Sequence, residues 1–433
     1  MASPPLPSQL TMKPVSRPVC GRIRPPGSKS ITNRALVCAA LATGTSRLSG
    51  ALDSDDTRVM VSGLQSLGVS ITPDWDHQLL SVEGTAGQIP AASATLDCQA
   101  SGTTMRFLAA LVGLSNGRYV LDGTARMRQR PIGDLLQALT SLGVHATAGS
   151  PNDCPPVTIE SHGIQAATAT IASGTSSQFA SGLALAAPCM PKGLTLHLAG
   201  TLVSTPYLEL TRRVIEAFGG QCIVHDERHW QIAPTGYTAR NYAIEPDASA
   251  ASYFAAAAAI TGGSVSIEGL SQDSLQGDVA FCEALKRMGC EVEWAADAIT
   301  IHGGPLRGID IDMNAISDTV MTLAVVALFA SGPTTIRNVA HIRDKETDRI
   351  SDLTRELQRL GAGVEERHDG LTITPAPLRP AAIQTYDDHR MAMSLALAGL
   401  KAPGVTILDP ACVGKTFPRY WDVLDSLVAP SRD

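Results

Sequence analysis

Six stretches of this chain are apolar nearly all the way round a helix yet begin with polar or charged residues. They are SKSITNRALVCAALA from Ser28, SGTTMRFLAALVGL from Ser101, TSSQFASGLALAA from Thr175, DASAASYFAAAAAI from Asp247, SDTVMTLAVVALFA from Ser317 and DDHRMAMSLALAGL from Asp387. A helix with no polar stripe is buried on every side, and small Ala and Gly faces let such helices approach one another closely. A second phrase recurs in the same rhythm: LQSLGVSI, LTSLGVHA, IEAFGGQC, LKRMGCEV and LQRLGAGV. Its glycines, Gly68, Gly143, Gly219, Gly289 and Gly361, lie 75, 76, 70 and 72 residues apart. Each copy predicts the last turn of a helix, a Gly cap and the first residues of a strand. A sixth helix end, LDSL at 424–427, has no such Gly or strand after it. The N-terminal stretch from Leu10 to Val19 is the expected source of the missing strand, which would bring both chain ends into one lobe. Dividing 433 residues into six units of about 72 predicts two lobes of three repeats, one over 24–242 and the other over 1–23 with 243–433.

The starts of the apolar helices carry Lys29, Arg34, Arg106, Asp247, Asp318, Asp388 and Arg390, more charge than capping requires. Cations in a first turn oppose the helix dipole by up to about 1 kcal/mol each unless an anion sits among them. The stretch PPGSKSITNR is not a Walker A loop, because Ser28 separates Gly27 from Lys29. If the helix starts of both lobes face a common cleft, they form a site for two phosphates, or for a phosphate and a carboxylate.

Composition narrows the partners. With 44% hydrophobic and 17% charged residues the chain is globular, and at 433 residues it is too long for one ordinary core. A net charge of −7 offers no basic footprint for nucleic acid. Nine cysteines stand without CxxC pairs or zinc-like His spacing, so neither disulfides nor a metal site is expected. Apolar runs such as 319–330 are too short for a membrane span, and MASPPLPSQL lacks the form of a leader; a cytoplasmic protein is expected.

Nine motifs, in order, carry a family resemblance: PGSKSITNR (26–34), SGTTMR (101–106), RMRQRPIG (126–133), SSQF (176–179), STPY (204–207), DASAASYF (247–254), KETDR (345–349), DDHRMAM (387–393) and KTFP (415–418). Over essentially its whole length the chain resembles the 5-enolpyruvylshikimate-3-phosphate synthases. The resemblance implies an α/β, two-lobed enolpyruvyl transferase fold of six βαβαββ repeats, three per lobe, with inner helices ringed by sheets and the active site in the cleft between the lobes. It implies transfer of the enolpyruvyl group of phosphoenolpyruvate to the 5-hydroxyl of shikimate 3-phosphate, with no metal or organic cofactor, in a monomer. Carried over by position, Lys29, Ser30, Arg34, Ser176, Ser177, Gln178, Ser204, Tyr207, Asp318, His341 and Lys345 would bind shikimate 3-phosphate. Lys29, Gly102, Arg126, Gln178, Arg349, Arg390 and Lys415 would bind phosphoenolpyruvate. Asp318 is the candidate for the hydroxyl proton, Glu346 the candidate acid for carbon protonation, with Lys29 as the competing assignment; Asp388 and His389 would orient Arg390.

Three positions depart from the family pattern. Ala100 replaces a common Asn, His341 stands where Asn often contacts shikimate hydroxyls, and Phe107 replaces a common Pro. Gly102 leaves room for the longer inhibitor glyphosate, so sensitivity is expected. Within the same fold the rival is the UDP-N-acetylglucosamine enolpyruvyl transferase, which expects a reactive loop Cys and a different first motif. A non-catalytic anion-binding protein is the rival of another class, but it has no use for Asp318 and Glu346 together.

Overall fold

A computed structural model describes residues 6–428. The chain divides into two compact units, Gly27–Glu245 and the remainder, which joins the segment ending at Pro26 to the one starting at Pro246. Three sheets of the Gly27–Glu245 unit and two of the other share one plan, a parallel pair of strands extended by an antiparallel hairpin, and a short parallel pair, Ala42–Thr43 with Tyr237–Thr238, adds to the first unit.

In the Gly27–Glu245 unit, Ser93–Asp97 runs parallel to Asn116–Asp122, and the hairpin His145–Ala148 and Val157–His162 adds antiparallel. Thr168–Ala172 and Leu194–Ala199 repeat the arrangement with Cys222–Asp226 and His229–Ile232. In the third sheet Asn241–Ala243 reaches back to pair with Thr45–Ser49, beside Leu79–Glu83 and Ser70–Asp74. The other unit answers with Cys20–Ile23 beside Ser264–Glu268 and with Asp310–Asp312 beside Thr334–Arg337, each carrying its hairpin. A parallel pair needs a crossover, and the buried helices provide it.

The last repeat differs. Ala381–Ile383 pairs with Val405–Leu408, but the chain then runs into the helix Tyr420–Val428 instead of a hairpin. Gln9–Thr11 fills the first hairpin position, antiparallel to Val405–Leu408. This strand starts one residue before the stretch expected from sequence and ends well before Val19. Beyond Thr11 the backbone makes isolated bonds, Met12 N–H to Val405 O and Val15 N–H to Leu400 O. The five spaced glycines all have left-handed backbones, with φ between +87° and +115°, which is the conformation their place after a helix requires.

The helix Ala248–Thr261 shows how the centre is packed. Asp247 caps it by accepting the Ala250 N–H at 2.9 Å, Gly262 closes it with φ +73°, and every residue between is buried. It packs against Val320–Ala327 and the turn Leu397–Leu400, themselves fully buried. Five of the chain's few aromatic residues, Tyr253, Phe254, Phe417, Tyr420 and Trp421, form an edge-to-face cluster at its flank. Tyr420 Oη donates to Met393 O at 2.8 Å and so pins the C-terminal helix. Among the described residues no helix is long and apolar enough to cross a membrane.

Close helix approach at alanine makes a specific demand. Ala256→Leu adds three carbons where no side of the helix is open, and overpacking of this kind costs about 1–3 kcal/mol. Thermal unfolding of the variant should begin several degrees lower, and an unchanged transition would show that the Ala248–Thr261 helix is not tightly packed.

Candidate active site

In the Gly27–Glu245 unit, Ser28 caps the helix Lys29–Leu41 by accepting the Ile31 N–H. Lys29, its first residue, sits 3.4 Å from the buried carboxylate of Asp56. Arg34, one turn on, is almost fully buried, and all three of its nitrogens already donate to protein acceptors. Nε bonds Thr211 Oγ1 at 2.8 Å, Nη1 bonds Ser30 O at 3.0 Å, and Nη2 bonds Ser181 Oγ and Tyr207 O at 3.3 Å. Its guanidinium lies 5.2 Å from the Phe107 ring centre and 5.9 Å from that of Tyr207. Burial pushes its pKa down to about 10, with small opposing contributions from Tyr207 and Cys38, so it remains a cation at neutral pH. Arg34 thus ties the SKSITNR, SSQF and STPY segments together, and Phe107 supplies an aromatic face that a proline lacks.

The helix Gly102–Val112 starts beside the first. Ser101 caps it, and Asn33 Nδ2 donates to Thr103 Oγ1 at 2.9 Å, joining the two helix starts directly. A side chain at Gly102 would have to displace two guanidinium groups. A Cβ there would lie 2.6 Å from Arg106 Nη1 and 2.7 Å from Arg130 Nη2. Ala100 offers only its carbonyl, 3.5 Å from Arg130 Nη1. Arg126 lies nearby in sequence, partly exposed, with Nη1 3.3 Å from Gln129 Oε1. Ser176 caps the helix Ser177–Ala186, accepting the Gln178 N–H at 3.2 Å. The Gln178 Oε1 is buried with no hydrogen-bond partner among the described residues. Ser204 holds a left-handed backbone, φ +53°, and its carbonyl accepts the Tyr207 N–H.

The second unit concentrates charge. Arg349, at the start of the helix Arg349–Arg359, is buried among three carboxylates. Its Nε donates to Asp388 Oδ2 at 2.7 Å, Nη1 to Asp318 Oδ1 at 3.2 Å, and Nη2 to Glu346 Oε2 at 2.8 Å and Asp388 Oδ1 at 3.3 Å. Burial disfavours its charge, but Asp388, Glu346 and Asp318 outweigh that and raise its pKa. Arg390 Nη2 donates to the second Asp318 oxygen at 2.7 Å. Lys415 Nζ stands 3.9 Å from Glu346 Oε1. Asp388, fully buried, also caps the helix His389–Ala396 by accepting the Arg390 N–H at 2.8 Å. It therefore holds the Arg349 side chain and the backbone N–H of Arg390. His389 Nδ1 is 3.7 Å from the same carboxylate. Among the described residues no cluster of His, Cys, Asp or Glu is arranged to hold a metal.

Asp318 is not a helix cap: it lies in the 3-10 turn Asn314–Thr319, where Ile316 breaks the helical backbone, and both its oxygens face arginines. Glu346 is not a solvated charge on an exposed helix, since the helix starts only at Arg349 and its side chain is 11% exposed. Lys345 precedes it, half-buried, at the end of the turn Ala340–Asp344 that carries His341. Sequence reasoning missed Asp56, Ser181 and Thr211, which hold Lys29 and Arg34, because nothing in a linear pattern pairs them with those cations.

Residues 14–424 match the family model described as EPSP synthase (3-phosphoshikimate 1-carboxyvinyltransferase). A 3-phosphoshikimate 1-carboxyvinyltransferase of Nostoc punctiforme is 46% identical over 409 residues, covering 94% of this chain and 96% of its own length. That of Vibrio atlanticus is 45% identical over 423 residues, covering 96% and 99%. The solved EPSP synthase of Acinetobacter baumannii superposes with a TM-score of 0.79 at 24% identity, over 97% of this chain and 98% of its own. The enolpyruvyl transferase NikO of Streptomyces tendae shares the fold with a TM-score of 0.74 at 20% identity, over 97% of each chain. The fold is that of the enolpyruvyl transferases, and by match and identity over nearly its full length the chain belongs to the EPSP synthase (3-phosphoshikimate 1-carboxyvinyltransferase) family.

Proposed function

We propose that the named residues of the two units act on one pair of substrates, shikimate 3-phosphate and phosphoenolpyruvate, in the reaction of this family. One observation carries the reading: Asp318 and Glu346, the two proton-handling candidates, are both hydrogen-bonded to the Arg349 guanidinium. A protein that only bound anions would gain nothing by neutralising its own cation with two carboxylates that have just these positions in sequence.

The chemistry assigns each group a task. Arg349, Arg390, Lys415 and Arg126 take the carboxylate and phosphate of phosphoenolpyruvate, with the planar arginine forks suited to bidentate contacts. Glu346, in its protonated form, delivers a proton to the methylene carbon, with Lys29 as the alternative donor, and the adjacent carbon takes on oxocarbenium character. The 5-hydroxyl oxygen of shikimate 3-phosphate bonds to that carbon while Asp318 receives its proton. Loss of a proton from the new methyl group restores the double bond as the carbon–oxygen bond to phosphate breaks. The proton first given to carbon is balanced by the one removed, and the hydroxyl proton leaves with phosphate.

Ser176, Ser177, Ser204 and Lys345 would hold the phosphate of shikimate 3-phosphate, Ser30 and Arg34 its carboxylate, and Gln178 and Tyr207 would line its ring. The unsatisfied Gln178 Oε1 supports a ligand there, because a buried polar atom without a partner is destabilising. His341 would meet a ring hydroxyl. Burial, and then the Lys345 charge, pushes its pKa down to about 3, so it is a neutral donor and acceptor at working pH, as an Asn is. Its Nε2 lies 3.0 Å from Ser317 Oγ. The enzyme is proposed to work as a monomer in the cytoplasm.

Phosphate release tests the reading. Turnover is expected with shikimate 3-phosphate and not with UDP-N-acetylglucosamine, and a folded protein inactive on the first pair would sink it. In the same assay glyphosate should compete with phosphoenolpyruvate, since Gly102 adds no side chain. Asp318→Asn should lower kcat by about 10²–10⁴-fold while both substrates still bind; an unaffected kcat would remove Asp318 from proton transfer. His341 makes stability depend on acid. The unfolded chain takes up its proton below about pH 6.5 and the folded chain only near 3, so stability is lost as pH falls through that window, by about 3 kcal/mol at pH 4. His341→Asn should flatten this loss in urea titrations at pH 7 and pH 4.5, and parallel losses in both proteins would refute it.

A further inference from the structure

The helix Arg349–Arg359 buries a carboxylate that the proposed chemistry does not use. Glu356 is fully inaccessible, and a carboxylate taken out of water is destabilising unless its oxygens are paired. Its Oε1 accepts the Tyr386 hydroxyl at 2.6 Å and its Oε2 accepts the Gln384 N–H at 3.1 Å, with Arg359 Nη1 3.5 Å away. Both bonds go to the segment that leads into Asp388.

That segment needs holding. Tyr386 and Asp387 are consecutive non-glycine residues in the left-handed region, φ +55° and +54°, a conformation disfavoured by about 1 kcal/mol or more at each. The next residue is Asp388, which aims the Arg349 guanidinium and caps the helix His389–Ala396 by accepting the Arg390 N–H. A second chain of bonds reaches the same hydroxyl from the KETDR segment. Thr347 Oγ1 donates to Asp352 Oδ2, Arg355 Nη1 donates to Asp352 Oδ1 at 2.5 Å, and the same Nη1 donates to Tyr386 Oη at 3.0 Å. The Tyr386 hydroxyl is thus the meeting point of the loop bearing Glu346 and the loop bearing Asp388.

The geometry points to Glu356 and Tyr386 as positioning residues: a clamp that holds the left-handed turn 386–387 and thereby sets the aim of Arg349 and Arg390 on phosphoenolpyruvate. This rests on the substrate roles proposed above. The hydrogen bonds of Glu356 and Tyr386 stay within 384–388 and the helix Arg349–Arg359, and groups assigned to shikimate 3-phosphate are reached at one remove, as Asp318 is through Arg349 and Arg390, so loss of the clamp should weigh more on phosphoenolpyruvate.

Steady-state phosphate release is measured for Tyr386→Phe, Glu356→Ala and the double variant. Each single change should raise KM for phosphoenolpyruvate by about 5- to 20-fold, leave KM for shikimate 3-phosphate within about twofold, and not add in the double variant. A parallel rise in both KM values, or an unchanged phosphoenolpyruvate KM with lowered thermal stability, would make the clamp merely structural. Amide-type exchange of the Arg349 Nε–H, identified by NMR from the signal missing in Arg349→Lys, supplies a readout that needs no turnover. Tyr386→Phe should accelerate it by about tenfold or more, as the bond to Asp388 loosens, and an unchanged rate overturns the proposal. If the wild-type protein has no turnover, the reaction assignment fails, while the exchange rate still judges the clamp.

Discussion

The buried guanidinium of Arg349 is the interaction on which the charged part of the molecule depends. Three carboxylates from three separate segments converge on it. A lone Asp388 at zero exposure would carry a desolvation penalty of several kcal/mol, and so would a lone buried arginine. Together they neutralise one another, and the planar fork fixes the direction in which Asp318 and Glu346 present their oxygens.

This explains why a chain so poor in charge spends it at helix starts. Backbone N–H groups in a first turn favour anions, and Ser28, Ser101, Ser176, Asp247 and Asp388 meet that demand as caps. The cations in the same turns run against the dipole, so each has been given a compensating partner. Lys29 has Asp56, Arg34 has hydroxyls and carbonyls from two other helices, and Arg390 has Asp318. The anionic groups of a substrate would meet cations already in place, at an end of the helix already favourable to negative charge.

How much of this was legible depended on whether the signal was local. The left-handed glycines and the strands after them are written in the L-x-x-L-G phrase because a helix stop and a Gly cap need only adjacent residues. The fully buried helices were legible because a missing polar stripe is itself local, as in Ala248–Thr261. The last repeat was harder: the replacement strand was sought over Leu10–Val19, but three residues, Gln9–Thr11, already complete the edge against Val405–Leu408. Site residues were legible where a motif named them, and their supports were not. Asp56 and Thr211 sit 27 and 177 residues from the cations they hold, and no period in the sequence links them. Arg34 carries the sharpest lesson, since its position in a motif suggests a ligand contact while its surroundings make it a staple between three segments.

The remaining tension lies in Asp318 itself. A base that receives a hydroxyl proton should not be held by two guanidinium groups, because each bond stabilises the carboxylate and so weakens it as a base. Yet Arg349 and Arg390 are the groups assigned to phosphoenolpyruvate, whose carboxylate and phosphate compete for the same N–H donors. On the proposed roles, donors drawn toward the ligand would be withdrawn from Asp318 and free its carboxylate to accept a proton. The arrangement would then couple proton acceptance to occupancy. It also sets a limit on rigidity: Arg349 has to stay anchored through Nε to Asp388 while its outer nitrogens change partners. The fully buried Asp388 opposite Nε, which also accepts from Nη2, and the partly exposed Asp318 and Glu346 opposite Nη1 and Nη2 would suit such an exchange.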